Sequence, residues 1–447
     1  MRGQALLLAM AAGLSFTPPA AGQERRSARV DAIVHRVDAA RLQATVSKLV
    51  SFGTRLTISQ AEGPRGIGAA RTFLAGEFAA LSKLPGSRLK PFEDRFVAPV
   101  GPRIPRPVEI VNVGAVLPGR DPKRALVMTG HYDSMPSDVL DPNADAPGAD
   151  DDASGTAMAL ELARAFATEQ PALTMYFVAV AGEEQGLVGS THLAERLKAE
   201  GVQVVAMASV DIAGNAEGQD GIRDSGTARV FSEGVPAVES EAQKKLRDAV
   251  GGENDSPARE WARYLQRAAA LYVPQLHVRV ILRRDRIARG SDHMSFARTG
   301  VPALRFMESR ENYRRQHQTP RVENGVRYGD ELQFFDAPYA ARLCSALAAG
   351  LATLAHAPAP PREVTLGGAV SPDSRLRWVL PDDARATSIV LYRRNAESVT
   401  WEHATLLPRT DHVDLPSLVP DDWFYAVATA DEEGEESLPQ PPSALGK

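Results

Sequence analysis

From about Val30 to Ala357 the chain alternates short, largely apolar runs with amphipathic stretches. The runs are Ile110–Leu117, Ala125–Thr129, Leu173–Ala181, Val204–Val210, Val278–Leu282 and Ala303–Met307. Each has the length of a strand and lacks polar alternation, as strands covered on both faces do. Between them, Ala153–Thr168 and Leu187–Ala199 read as amphipathic helices. Ahead of them, Arg65–Leu84 places Ile67, Ala70, Phe73, Leu74, Phe78 and Leu81 on one side. Glu331–Leu354 reads as a closing helical segment. The pattern predicts an α/β fold, a mostly parallel central sheet flanked by helices.

The pattern changes after Ala357-Pro358-Ala359-Pro360-Pro361, a stiff linker by composition. Leu376–Leu380, Ser388–Tyr392 and Trp423–Thr429 are β-rich, bounded by Pro, Asp and Gly, and no helical period accompanies them. Trp378, Tyr392 within Val-Leu-Tyr-Arg-Arg, and Phe424–Ala428 leading into Asp431-Glu432-Glu433-Gly434 resemble a fibronectin type III β-sandwich. The predicted units are therefore a domain over 23–356 and a linker with a small all-β sandwich over 357–447. Such small sandwiches commonly act as spacers. Removing 359–447 is accordingly expected to leave turnover of small substrates largely intact.

The 447 residues are 44% hydrophobic and 24% charged, the balance of a folded globular chain. A net charge of −5 offers no basic surface for nucleic acid or an anionic membrane. The charge is uneven: from Arg362 onward 8 basic residues face 15 acidic ones, so the β-rich part carries the excess. The first residues carry one positive charge, an apolar run from Ala5 to Phe16, and small residues Ala20 and Gly22. This is the layout of a secretory signal over 1–22 and too short to span a bilayer. An exported chain with the single cysteine Cys344 forms no internal disulfide, and this fits a bacterial periplasm or medium better than an animal extracellular space. The same count excludes thiolate-only metal sites. Any metal must sit on His, Asp and Glu.

Those residues concentrate where strands end. Gly130-His131-Tyr132-Asp133-Ser134 follows one apolar run, Ala181-Gly182-Glu183-Glu184 another, and Asp211 a third. In an open α/β sheet, ligands bind beyond the carboxyl ends of the strands. A loop, Pro147-Gly148-Ala149-Asp150-Asp151-Asp152-Ala153-Ser154-Gly155, runs into a helix and adds three carboxylates. Each cluster alone has a plain explanation, such as a polar loop or favourable charge at a helix N-terminus. Together they crowd carboxylates that repel and raise one another's pKa values unless a cation intervenes. Imidazole and carboxylate without thiolate suit a pair of divalent ions, zinc among them.

With Ser291-Asp292-His293 and His317-Gln318-Thr319-Pro320, these motifs follow one another in the order found in the co-catalytic dinuclear zinc aminopeptidases. Over roughly Val30 to Ala355 the chain resembles that family, whose relatives include glutamate carboxypeptidase and glutaminyl cyclase. The resemblance implies two zinc ions per chain. His131 and Asp211 hold one, Glu184 and His317 the other, and Asp151 bridges both. It further implies that Glu183 is the general base and that Asp133 hydrogen-bonds the second nitrogen of His131, as carboxylates behind metal-bound imidazoles do. His293 is the rival to His317 and is read as a structural neighbour of the site. Gly53-Thr54-Arg55 departs from some relatives, and no function attaches to it.

The expected substrates are peptides with a free N-terminus. A carboxypeptidase would need cations for the substrate carboxylate, and Arg283, Arg284, Arg286, Arg305, Arg314 and Arg315 cluster between Asp211 and His317. A cyclase acting on N-terminal glutamine fits less well with a complete five-residue ligand set. A binding protein without catalysis fits less well with an intact base. The pocket walls that select the side chain come from Gly214–Gly290, which carries no usable motif.

Overall fold

A computed structural model describes residues 26–446; the leader expected over 1–22 lies outside the described residues. Three helices, α1 (Ala28–Val34), α2 (Ala39–Val50) and α3 (Ile67–Ser82), precede the sheet. Eight strands then form one sheet: β1 (Lys90–Ala98), β2 (Val108–Leu117), β3 (Asp121–His131), β4 (Leu173–Val180), β5 (Gln203–Val210), β6 (Thr227–Ser232), β7 (His277–Ile281) and β8 (Ala303–Glu308). Five helices are inserted among them: α4 (Ala153–Phe166), α5 (Val188–Ala199), α6 (Glu241–Val250), α7 (Pro257–Tyr272) and α8 (His293–Ala297). A short hairpin of β9 (Arg321–Glu323) and β10 (Val326–Tyr328) precedes α9 (Ala337–His356).

The strand order is β1-β2-β4-β3-β5-β8-β6-β7. Its centre, β4-β3-β5-β8, is parallel, as the apolar runs predict. The flanks are not: β1–β2, β2–β4 and β6–β8 pair antiparallel, which makes the sheet mixed. The two-residue period of the strands sorts side chains between the faces. Leu126 and Met128 of β3 join Met175, Phe177 and Ala179 of β4 in one core, which α4 and α9 complete with Leu160, Leu162, Leu343 and Leu347. Val127, Val178 and Val180 turn the other way and meet Leu193 and Leu197 of α5 and Phe296 of α8.

Beyond α9, seven strands follow: β11 (Arg362–Gly367), β12 (Ser374–Val379), β13 (Ser388–Asn395), β14 (His403–Pro408), β15 (His412–Leu415), β16 (Trp423–Ala430) and β17 (Ala444–Leu445). They form a four-stranded sheet, β15-β12-β11-β17, and a three-stranded one, β14-β13-β16. Val364, Leu376 and Trp378 of the first meet Ile389, Leu391, Tyr425 and Val427 of the second in a shared core.

This unit is not a loosely tethered spacer. Arg385 donates to the carbonyls of His356 and Ala357 at 2.8 and 3.2 Å, and Asp383 accepts from Ala359 N–H at 2.9 Å, so the proline-rich connection is fastened along its length. On α7, Arg263 pairs with Glu260 and Asp255, Asp255 also pairs with Arg394 at 2.6 Å, and Trp401 Nε1 donates to Glu260 at 2.8 Å.

Candidate metal centre

His131 is the last residue of β3, Glu183 and Glu184 lie just past β4, and Asp211 follows β5. Because β4, β3 and β5 are adjacent and parallel, their carboxyl ends open at one edge, and the side chains converge there. Asp151 arrives on the turn before α4. The turn lies close because two glycines remove the obstacle. A Cβ on Gly130 would come within 2.2 Å of the Gly155 backbone, and one on Gly155 within 2.2 Å of the Val210 carbonyl. Asp152 then fixes the turn in place. One of its oxygens accepts from Gly155 N–H at 2.8 Å at the start of α4, and the other from His131 N–H at 2.9 Å.

Asp151 lies between two imidazoles. Its Oδ1 is 3.3 Å from His131 Nε2 and its Oδ2 is 3.1 Å from His317 Nε2. Asp211 Oδ1 stands 3.9 Å from His131 Nε2, and Glu184 Oε1 3.2 Å from His317 Nε2. His131, Asp151 and Asp211 thus form one possible metal-holding group, and Asp151, Glu184 and His317 a second that shares Asp151. His131 also groups with Glu183 and Glu184. The five residues expected as ligands are brought together, and Glu183 lies beside them. His293 is not in any of these groups. It is buried, with Nε2 3.0 Å from the Arg284 carbonyl, and burial lowers its pKa.

The donors fit a metal on their own evidence. His131 Nε2 and Glu184 Oε1 are buried and have no hydrogen-bond partner, and the buried Asp211 Oδ1 is met by the Arg305 guanidinium alone. Orphaned polar atoms are costly, and a coordinated cation would satisfy the first two at once. The charge balance agrees. Burial opposes protonation of His131, yet Asp133, Asp151 and Asp211 hold its pKa well above the ordinary value. Against the same penalty, Glu184 and Asp151 push His317 up to about 11. The site strongly favours positive charge.

Asp133 has a wider role than the one expected of it. His131 Nδ1 lies 3.2 Å from the Asp133 backbone carbonyl and 3.5 Å from its carboxylate. That carboxylate also accepts from Glu183 N–H at 3.3 Å, Glu184 N–H at 3.1 Å and Thr57 Oγ1 at 3.1 Å. One buried group therefore positions both glutamates together with the histidine. Desolvation, reinforced by Glu184, Asp211 and Asp292 and opposed by His131, raises the Glu183 carboxyl well above its usual range. A carboxylate so raised is a better proton acceptor.

His317 comes from a loop with no strand behind it. Ser137 and Thr319 anchor that loop by exchanging two hydrogen bonds, Ser137 N–H to Thr319 Oγ1 at 3.2 Å and Thr319 N–H to Ser137 Oγ at 3.0 Å. His317 itself adopts φ +53°, an uncommon conformation for a non-glycine residue and one that clusters at functional sites.

Two residues that sequence reasoning left without a role support the turn. Arg55, fully buried, donates to the carbonyl of Tyr132 at 2.7 Å and of Gly148 at 2.8 Å, and also to Pro147. It ties the segment after His131 to the loop that carries Asp151. Burial lowers its pKa to about 10. Asp330 accepts from the N–H groups of Asp150 and Asp151 at 2.9 and 2.7 Å. For Arg55 the only signal was a charged residue where relatives differ; Asp330 gave none.

Comparison with known proteins agrees with this geometry. The model of "Peptidase family M28" matches residues 112–325, which include every one of these groups except Arg55, Thr57 and Asp330. A protein of the fungus Leptosphaeria maculans, named a probable zinc metalloprotease, is 41% identical over 428 residues, covering 95% of this chain and 98% of its own. This chain belongs to peptidase family M28. Another fungal relative of the same description, from Pyrenophora teres f. teres, is 42% identical over 411 residues, covering 91% of this chain and 85% of its own. This M28 peptidase also shares its fold with the LapA aminopeptidase of Legionella pneumophila. There the TM-score is 0.52 and the identity 19%, across 73% of this chain and 74% of LapA. The chain is thus a zinc metallopeptidase, a hydrolase of peptide bonds. The two relatives are fungal, so the expectation of a bacterial envelope is not borne out. No helix among the described residues is long and apolar enough to cross a membrane.

Proposed function

We propose that this M28 peptidase is a secreted aminopeptidase that uses two zinc ions to remove the N-terminal residue of peptides. His131 and Asp211 would hold one ion, Glu184 and His317 the other, with Asp151 shared. When bound, the ions supply Lewis acidity, activating a water and polarising the scissile carbonyl. Glu183 takes the proton of the attacking water and delivers it to the leaving amine, which balances the hydrolysis. Asp133 keeps Glu183 and Glu184 in register through their N–H groups.

The observation that carries the N-terminal preference is the state of the arginines. A carboxypeptidase needs a free guanidinium at the site, but Arg286 pairs with Glu311 at 2.9 Å, Arg284 with Glu233 at 3.3 Å and Arg305 with Asp211 at 2.9 Å. Arg315 donates to Asn215 at 2.7 Å and lies over the Phe334 ring. With four of the six arginines engaged in this way, the centre is left with carboxylates that favour an α-ammonium over an α-carboxylate. The description of LapA as an aminopeptidase is in keeping with this. Secretion rests on the leader pattern of the first 22 residues, and the fibronectin type III-like reading of the C-terminal unit on its β-strand pattern.

The test is a matched panel of free-amine and N-acetylated aminoacyl p-nitroanilides and dipeptides, with metal analysis of the same sample. Turnover of the free-amine members only, abolished by chelator and regained with zinc, is expected. Equal turnover of the blocked substrates would overturn the aminopeptidase reading.

A further inference from the structure

Arg305 is among the most deeply buried charges in the molecule, fully enclosed on β8 where it pairs with Ser209 of β5. Burying a guanidinium is costly unless its charge is met and its donors are used. Its Nη2 lies 2.9 Å from Asp211 Oδ1 and donates to the Asp211 carbonyl at 3.2 Å. Its Nη1 donates to the Gly290 carbonyl at 3.0 Å and lies 3.5 Å from Asp285 Oδ2. The guanidinium is therefore held from both sides. The Asp211 oxygen it touches is the same atom that faces His131. On the other half of the centre the Arg103 guanidinium reaches only the Glu184 backbone carbonyl, at 2.6 Å. Among the described residues, Glu184 and Asp151 make ion pairs only with the two histidines.

We propose that Arg305 is a positioning residue that fixes the direction of the Asp211 carboxylate and withdraws part of its charge. The ion held by His131 and Asp211 is thereby bound less tightly than Asp211 alone would bind it. The inference rests on the dinuclear reading above. A cation sharing an oxygen with a metal reduces what that oxygen can donate, and in a buried setting such a charge acts at low effective dielectric. Arg305 is fully enclosed and its guanidinium faces Asp211, Gly290 and Asp285, so it acts through Asp211.

The test is a titration of metal-stripped protein with zinc by calorimetry and with cobalt by visible absorption, for the wild type, Arg305→Met and Arg305→Lys. The wild type should take up two ions. Repeating the titration in Glu184→Gln, which weakens the other half, identifies the step that belongs to His131 and Asp211. In Arg305→Met that step should tighten by about tenfold or more, in line with removal of a neighbouring unit charge, and the other step should stay unchanged. Arg305→Lys should return it toward the wild-type value, with altered cobalt bands because an ammonium lacks the planar fork whose separate nitrogens reach Asp211 and Gly290. Should Arg305→Met not fold, Arg305→Met combined with Asp285→Asn removes the other carboxylate that Arg305 faces and carries the same expectation. An unchanged or weakened step in the folded variants would overturn the charge-withdrawing role of Arg305. Failure of the wild type to take up two ions would instead overturn the dinuclear reading.

Discussion

The carboxylate of Asp152 accepts the backbone N–H of His131 at 2.9 Å while its other oxygen begins α4 by accepting from Gly155 at 2.8 Å. One side chain thus sets the distance between the end of β3 and the turn carrying Asp151. Replacing it with alanine removes a helix cap and leaves a buried N–H unpaired, at a combined cost of about 2–4 kcal/mol. Asp152→Ala should unfold at lower urea and lose zinc at lower chelator concentration. Asp152→Asn keeps one acceptor and should fall between.

Glu183 and Glu184 are neighbours with separable effects. Glu183 is not among the five expected ligands, so Glu183→Ala should retain zinc while turnover falls by about 10²–10⁴. Glu184 Oε1 lies 3.2 Å from His317, so Glu184→Ala should lower zinc content itself. Metal analysis beside steady-state rates distinguishes the two. A Glu183→Ala protein with full zinc and full activity would remove the base assignment.

Arg55 donates to four backbone carbonyls from a fully buried position, two of them in the loop that presents Asp151. Arg55→Met leaves those acceptors without partners, and a loss of about 3–5 kcal/mol is expected. Because the loop loosens with it, zinc affinity should fall in the variant even at temperatures where it stays folded. Thermal denaturation with and without added zinc reads both effects. A variant of unchanged stability would mean that the loop holds without this clamp.

The centre was legible in the sequence because its parts follow strands. Buried parallel strands are unbroken apolar runs, and a polar residue directly after one must lie at the open edge of the sheet, which located His131, Glu183, Glu184 and Asp211. His317 had no strand before it and was reached only through resemblance. Arg55, Asp330 and Arg305 were not legible as supports, because their roles depend on contacts across 77 to 180 positions of sequence. The antiparallel flanks of the sheet were missed for a related reason: β1 alternates exposed and buried residues and gives no continuous apolar run. Spacing likewise could not reveal that the proline-rich connection is fastened, since its ties come from Arg385 and Asp383 further along the chain.

Those ties reverse the expectation for the C-terminal unit. Asp255, Glu260 and Arg263 on and beside α7 find partners in Arg394, Trp401 and the Val399 carbonyl, with Arg263 itself only 1% exposed. Deleting 359–447 uncovers this charge cluster and one face of α7, which also packs on α9 through the core. The truncated chain should be destabilised by several kcal/mol, as breaking buried ion pairs implies, and should express poorly or aggregate. Soluble, fully active truncated protein would show the unit to be a dispensable spacer after all.

The junction also carries a pH response. His356, at the end of α9, is buried, and desolvation together with Arg29, Arg120 and Arg385 lowers its pKa from 6.5 to about 3; Glu169, 3.9 Å away, does not offset this. The folded chain therefore keeps this imidazole neutral at pH values where the unfolded chain protonates it. Stability from this group is fully present above pH 6.5 and falls as the pH drops toward 3. The slope is about 1.4 kcal/mol per pH unit while only the unfolded state binds the proton. Other groups titrate in the same window, so the informative quantity is a difference. Urea unfolding of wild type and His356→Leu should give free energies that diverge with pH. Between pH 7 and 5 the wild type should lose more stability than the variant, because only the wild type has an imidazole to protonate on unfolding. Parallel curves over that range would mean that the folded protein accepts the proton at His356 as readily as the unfolded chain does.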